Sequence, residues 1–98
     1  MISLSPRARE QIDALVAHCE RLDRIEASQN LFAAIETAAR RILVAPSAGL
    51  SAPRPYPGLA KQGRLWLHVH RYWIAYTLTE PPAIIGVYYD AANIPYRL

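Results

Sequence analysis

Cysteine is almost absent from this chain of 98 residues, with Cys19 the only one. An intrachain disulfide and a thiolate metal cluster are both excluded. On an apolar helical stripe, Cys19 reads as a small core residue. Long hydrophobic runs are also missing, and none approaches the roughly 20 residues that span a bilayer. The opening MISLSPRARE has no apolar signal core and turns polar at once, so a cytoplasmic protein is expected. There is no Gly-rich phosphate cradle, no nucleophile elbow and no zinc-ligand spacing. No cofactor is implied, and neither internal repeats nor low-complexity tracts stand out.

What is present is mostly apolar. Hydrophobic residues make up 52% of the chain, too many for a disordered segment. The length fits one domain over residues 1–98, which buries roughly 60–65% of its unfolded surface. Residues 1–50 hold equal numbers of basic and acidic side chains. Residues 51–98 hold Arg54, Lys61, Arg64, Arg71 and Arg97 against Glu80 and Asp90, which accounts for the whole net charge of +3. This modest excess permits contact with an acidic partner or a phosphate backbone without requiring it.

The first half carries helical spacing. Ile2-Ser3-Leu4 is a short strand candidate, and Ser5-Pro6 reads as an N-cap followed by the first helical residue. Ala8, Ile12, Leu15, Val16, Cys19 and Leu22 recur at helical intervals, with Arg9, Glu10, Asp13, Glu20 and Arg24 opposite. The polar stretch ERLDRIEASQN hosts a break, with Ser28 as a second N-cap. Leu31, Ile35, Ala38 and Ile42 continue the helical period. Arg40 and Arg41 suit the final turn, where cations meet the negative helix end, and Pro46 stops the helix. A short polar turn between two helices predicts an antiparallel hairpin. From Pro46 to Leu59, four prolines and two glycines leave no α-helix or central strand intact. This stretch reads as a stiffened crossover, or as a functional loop.

Strands follow. Leu65, Leu67 and Val69 alternate with Trp66, His68 and His70, and Tyr72, Ile74 and Tyr76 alternate with Trp73, Ala75 and Thr77. Glu80-Pro81-Pro82 breaks the pattern, and Ala83 to Tyr89 forms a third strand. The fold class is therefore α+β: a short N-terminal strand, a helix hairpin and a three-stranded antiparallel meander. The set Leu65, Leu67, Val69, Tyr72, Ile74 and Tyr76 is expected to cover the helices. The opposite face, with Trp66, His68, His70, Trp73 and Thr77, is expected to be an open recognition surface. A second layer or a C-terminal segment covering it is the alternative. His68 and His70 lie two apart on a strand and so share a face. They read as surface histidines near a turn, as an acid–base pair, or as part of a metal site that lacks a third ligand.

These elements resemble the RelE/ParE superfamily of toxins from bacterial type II toxin–antitoxin modules, the plasmid-stabilisation or addiction systems. The resemblance covers nearly the whole chain. LSPRAREQIDAL is similar to the family's opening strand and Pro-led helix, and ILVAPSAGL to its helix end. RYWIAYTL resembles the central RYRIxYxV-type strand. YYDAANIPYRL resembles the ending in which a strand passes into a His-Gly-Ala-Arg-Asp-Ile-Pro segment.

The branch decides the chemistry. RelE-type members are ribosome-dependent ribonucleases, and attack by a 2′-hydroxyl needs a base, an acid and cations for the developing charge. Carried across, the first basic strand position falls on Arg64, the next on Trp66 and the central-strand Arg on Trp73. The tail Arg falls on Ala92, its neighbouring Asp on Asn93, and the C-terminal Tyr near Tyr96. Most of the cations are thus replaced. ParE-type members also lack this set and act by binding and blocking DNA gyrase, so the resemblance implies a gyrase inhibitor that is not an enzyme. Here the tail's His-Gly-Ala-Arg is Tyr89-Asp90-Ala91-Ala92. The alternatives are a ribosome-dependent mRNA interferase using Arg64, His68, His70, Arg71 and Tyr96, with Arg71 on phosphate, or a non-toxic interaction module.

The resemblance further implies a hetero-oligomer with a cognate antitoxin encoded nearby, whose disordered segment folds on the toxin. Candidate target-binding residues are Arg64, Trp66, Trp73, Tyr89, Asn93 and Arg97. Candidate antitoxin-binding residues are Leu15, Leu22, Leu31, Ile35, Trp66 and Trp73. No membrane partner is expected.

Overall fold

The first helix begins where the sequence provides a cap and a proline. The Ser5 side chain accepts from the Ala8 amide at 3.1 Å, and Pro6 occupies the first helical position, where no amide is needed. The structure, a computed structural model, describes residues 2–90 and 94–97, the last two by backbone alone. In chain order it has β1 (Ser3–Leu4), α1 (Pro6–Arg21), α2 (Ile25–Val44), β2 (Arg64–Val69), β3 (Tyr72–Thr77), β4 (Ala83–Tyr89) and α3 (Ile94–Arg97). Two 3-10 turns, Pro46–Ala48 and Pro57–Leu59, lie between α2 and β2. The expected α+β layout of strand, helix pair and antiparallel meander is present.

The turn between the helices is tighter than the polar stretch suggested. Asp23 adopts a left-handed conformation (φ 53°), and the Arg24 amide bonds back to the Cys19 carbonyl at 2.9 Å. The second helix then starts at Ile25. Ser28 is therefore not its N-cap: its amide already reaches the Arg24 carbonyl, four residues back, so it sits in the first turn. Arg24 holds the cap position without a side-chain bond. At the other end Arg41 falls in the last turn, Arg40 just before it, and α2 stops two residues short of Pro46.

The sheet has the order β1-β4-β3-β2. β1 lies parallel to β4, with Ser3 opposite Ala83, and β4, β3 and β2 form the antiparallel meander. Returning to the far edge of β4 requires the helix pair as a crossover. The helices cover one face. There Ala8, Ile12, Leu31, Ala34, Ala38 and Ile42 meet Val69, Tyr72, Ile74, Tyr76, Ile84 and Val87, with Leu65 and Leu67 partly buried beside them. This is the face the alternation assigned to the helices. A side chain from α1 also tends the sheet: Gln11 Oε1 accepts from the Val87 amide at 2.9 Å, beyond the reach of the two-residue β1.

The proline-rich segment contains no α-helix. Leu50 exchanges two backbone bonds with Trp66, each 2.7 Å, and so extends the sheet past β2 by one position. Tyr76 fastens the start of this segment from inside. Its buried hydroxyl donates to the Pro46 carbonyl at 2.6 Å and accepts from the Gly49 amide at 3.1 Å. Glycine is required at 49, since a Cβ there would lie 2.5 Å from that hydroxyl oxygen.

Burial pushes the Tyr76 hydroxyl above its ordinary value of 10, and the Tyr72 hydroxyl likewise. A group whose folded value is raised stabilises fully below its unfolded value and loses that contribution as pH rises towards the folded one. Stability in urea titrations should hold through neutrality and fall above pH of about 10. Tyr76→Phe should cost about 1–3 kcal/mol at neutral pH, because two buried backbone groups lose their partner. It should also show a smaller alkaline loss than the parent chain.

Candidate functional site

Pleating places Arg64, Trp66 and His68 of β2 on the face away from the helices, with Trp73, Ala75 and Thr77 of β3. The register pairs Trp66 with Ala75 and His68 with Trp73. An open aromatic face was the expectation here, and it is overturned. Trp66 is 0% exposed and Trp73 3%. They form a second core with Ala75, Tyr88 and Ile94, closed by Tyr56, Leu59 and Ile85. The Trp66 and Tyr88 rings meet at 5.8 Å between centroids. The cause is apolar area, since each such ring buries roughly 150–250 Å². The proline-rich segment and α3 lie across this area.

The cover changes what the strand residues do. Arg64 donates through Nη2 to the Leu59 carbonyl, and its guanidinium carbon lies 5.4 Å from the Trp66 ring centroid. The arginine expected to face a target is therefore holding the second 3-10 turn in place. Arg64 Nε and Trp66 Nε1 are both buried without a hydrogen-bond partner among the described residues. Arg54, from the covering segment, sits 5.8 Å from the Trp73 ring centroid.

The polar side chains gather at the end of the sheet. His68 Nε2 lies 3.2 Å from Asp90 Oδ2, and the imidazole stacks on Trp73 with centroids 4.5 Å apart. Arg71 donates through Nη1 to the Tyr89 hydroxyl at 3.0 Å, and the Asp90 amide donates to the Arg71 carbonyl. The Tyr89 hydroxyl holds the Arg71 guanidinium further above its ordinary value, so it stays a permanent cation. His70 does not share a strand face with His68, as was expected. β2 ends at Val69, and His70 is an exposed, left-handed residue of the turn (φ 54°). The shared strand face on which an acid–base pair was to rest is thus absent, and His70 sits near a turn, as the surface-histidine reading had it. Among the described residues no cluster of three or more His, Cys, Asp or Glu could hold a metal.

Beside this polar end, a groove of about 1850 Å³ separates the α1–α2 corner from the β2–β3 turn. Leu15, Leu22, Arg24, His70, Arg71 and Tyr89 are among the residues that line it. Of the residues singled out for antitoxin contact, Leu22 is 52% exposed, whereas Leu31 is fully buried. Leu15 and Ile35 are partly buried against the main core. Leu31, Trp66 and Trp73 thus have no surface to give a partner. Asn93 lies outside the described residues, as do the side chains of Tyr96 and Arg97.

The place of Asp90 beside His68 was not read from the sequence. Its signal was parity: it follows Tyr88 by two and so falls on the side of Trp73 and His68. No family model matches the chain, and no curated protein matches it.

Trp66→Ala should cost about 3–5 kcal/mol, as for other large buried aromatics, and it should lower the urea midpoint. Leu22→Asp, on an exposed site, should leave stability within about 0.5 kcal/mol.

Proposed function

We propose that this chain is a ParE-like toxin of a type II toxin–antitoxin module. In this reading it is a protein-binding inhibitor of DNA gyrase that acts in the cytoplasm and is neutralised by a cognate antitoxin. The observation that carries the reading is the sealed outer face. Two positions where the ribonuclease branch places cations are filled by Trp66 and Trp73, and both indoles lie inside an apolar core. Arg64, the one matching cation there, is committed to the Leu59 carbonyl. Cleaving RNA needs charged groups that approach the phosphate, and on this face Arg64 is tied to the Leu59 carbonyl, Arg54 lies over the Trp73 ring and His68 is held by Asp90 and Trp73. The order of elements, with a helix pair on one side of a four-stranded sheet, is the arrangement that the resemblance implies.

The groove between the helix corner and the β2–β3 turn is the proposed antitoxin seat. It joins apolar Leu15 and Leu22 to the cations Arg24 and Arg71 and the carboxylates Glu10 and Glu26, a lining that suits an amphipathic helix of mixed charge. The inhibitor reading uses protein contacts alone and requires no cofactor. No helix of the described residues is long and apolar enough to cross a membrane.

The test is a gyrase supercoiling and cleavage-complex assay with antitoxin-free protein, beside an in vitro translation assay. Loss of supercoiling with translation intact is the expected result. Translation loss with cuts in mRNA would reject the inhibitor reading and make the chain a ribonuclease. Inactivity in both assays, with harmless strong expression, would leave the non-toxic interaction module. Leu22→Asp should weaken antitoxin binding, read by titration calorimetry, and unchanged affinity would remove the groove from that role.

A further inference from the structure

The solvent side of α2 carries a pattern that is mostly spare: of its residues only Ile25 borders the proposed groove and only Ala39 packs partly against the core. Ile25, Gln29, Phe32, Glu36, Ala39 and Leu43 follow one another at alternating intervals of four and three, the spacing of a coiled-coil seam. On a helix they share one stripe. Leu31, Ala34, Ala38 and Ile42 lie on the other side and are buried. Ile25 is 69% exposed, Phe32 53% and Leu43 51%. Few globular surfaces leave three large apolar residues in one helical row.

The charges within this stripe select the occupant. Glu36 and Arg40 are exposed and make no ion pair among the described residues. A second α2 packed in parallel register would set Glu36 against its own copy. An antiparallel copy offset to bring Glu36 opposite Arg40 does so twice, by two-fold symmetry. The same offset lays Phe32 of each copy against Leu43 and Val44 of the other. Ala39, a small residue, lies near the crossing point and lets the helices approach. Opposite charges and apolar rows are thus matched in one register by a single sequence.

From this self-complementarity we infer that the chain forms a homodimer through antiparallel packing of the exposed α2 stripes, fixed by reciprocal Glu36–Arg40 pairs. In this register the overlap runs over residues 32–44 of α2, about 20 Å of helix. One such seam buries less than the roughly 1,600 Å² of a standard interface, so the dimer dissociates on dilution. This inference is independent of the gyrase reading, since it rests on α2 alone.

The test is sedimentation equilibrium of the purified chain over a wide range of concentrations. The parent chain should shift from monomer to dimer. Glu36→Arg alone and Arg40→Glu alone each place like charges face to face, and each should raise Kd by about tenfold or more. The double exchange, Glu36→Arg with Arg40→Glu, should restore dimerisation. Phe32→Glu should abolish it, whereas Ile25→Glu, equally apolar but outside the overlap, should not. Circular dichroism melts will show that every variant remains folded. A parent chain that is monomeric throughout would overturn the inference, as would single exchanges without effect or a double exchange that fails to rescue. Equal losses from Phe32→Glu and Ile25→Glu would also overturn it, by reducing the association to general stickiness.

Discussion

The constraint on which the rest of this structure depends is that β3 is buried on both faces. Tyr72, Ile74 and Tyr76 point into the helices, and Trp73 and Ala75 point away from them, yet all five are buried. A strand wet on one side would need only the helix pair. This one needs a second cover, and a chain of this size has no further helix pair to offer. The segment between α2 and β2 and the four-residue α3 provide it. Their unusual features follow from this demand. Prolines hold an otherwise irregular path, Leu50 pairs with Trp66, Tyr76 clamps Pro46 and Gly49, and Arg64 grips Leu59. Each bond fixes covering backbone that lacks regular structure of its own.

The second cover also bears on function. A small sheet with one open face has a natural place for a substrate. Closing that face with two indoles removes the place and leaves the edges, the helix corner and the end of the sheet. The polar side chains collect at that end, where the His68–Asp90 and Arg71–Tyr89 contacts join β2, the β2–β3 turn and β4. What stays accessible is the groove at the helix corner and the polar end of the sheet beside it.

The helices and strands were legible because their signals are local. The Ser5-Pro6 cap, the stop before Pro46 and the alternation from Leu65 to Tyr76 each act within a few residues, and the structure follows them. The side facing the helices was legible for the same reason. The fate of the opposite face was not, because it depends on which distant segment comes to lie on it. Tyr56, Leu59 and Ile94 are unremarkable until the chain brings them over Trp66 and Trp73. The start of α2 was misplaced at Ser28 because a good capping side chain lost to geometry. The left-handed Asp23 had already reversed the chain. The paired histidines failed similarly, since strand parity holds only inside a strand and His70 lies one residue beyond it.

The parallel pairing of β1 with β4 has a consequence for how the chain reaches this state. The helix pair and the three-stranded meander are assembled from neighbours in sequence. The sheet edge is not: the Ser5 hydroxyl meets the Ile85 carbonyl across 80 positions of chain, and Ser3 stands opposite Ala83. Closing so long a loop carries an entropic cost that local contacts escape, and such contacts slow folding. During synthesis, β1 and the buried row of α1 must wait for β4 to be made. Meanwhile Ala8, Ile12 and Cys19 have only part of their final cover. Until β4 is made, this apolar flank of α1 therefore lacks its final cover.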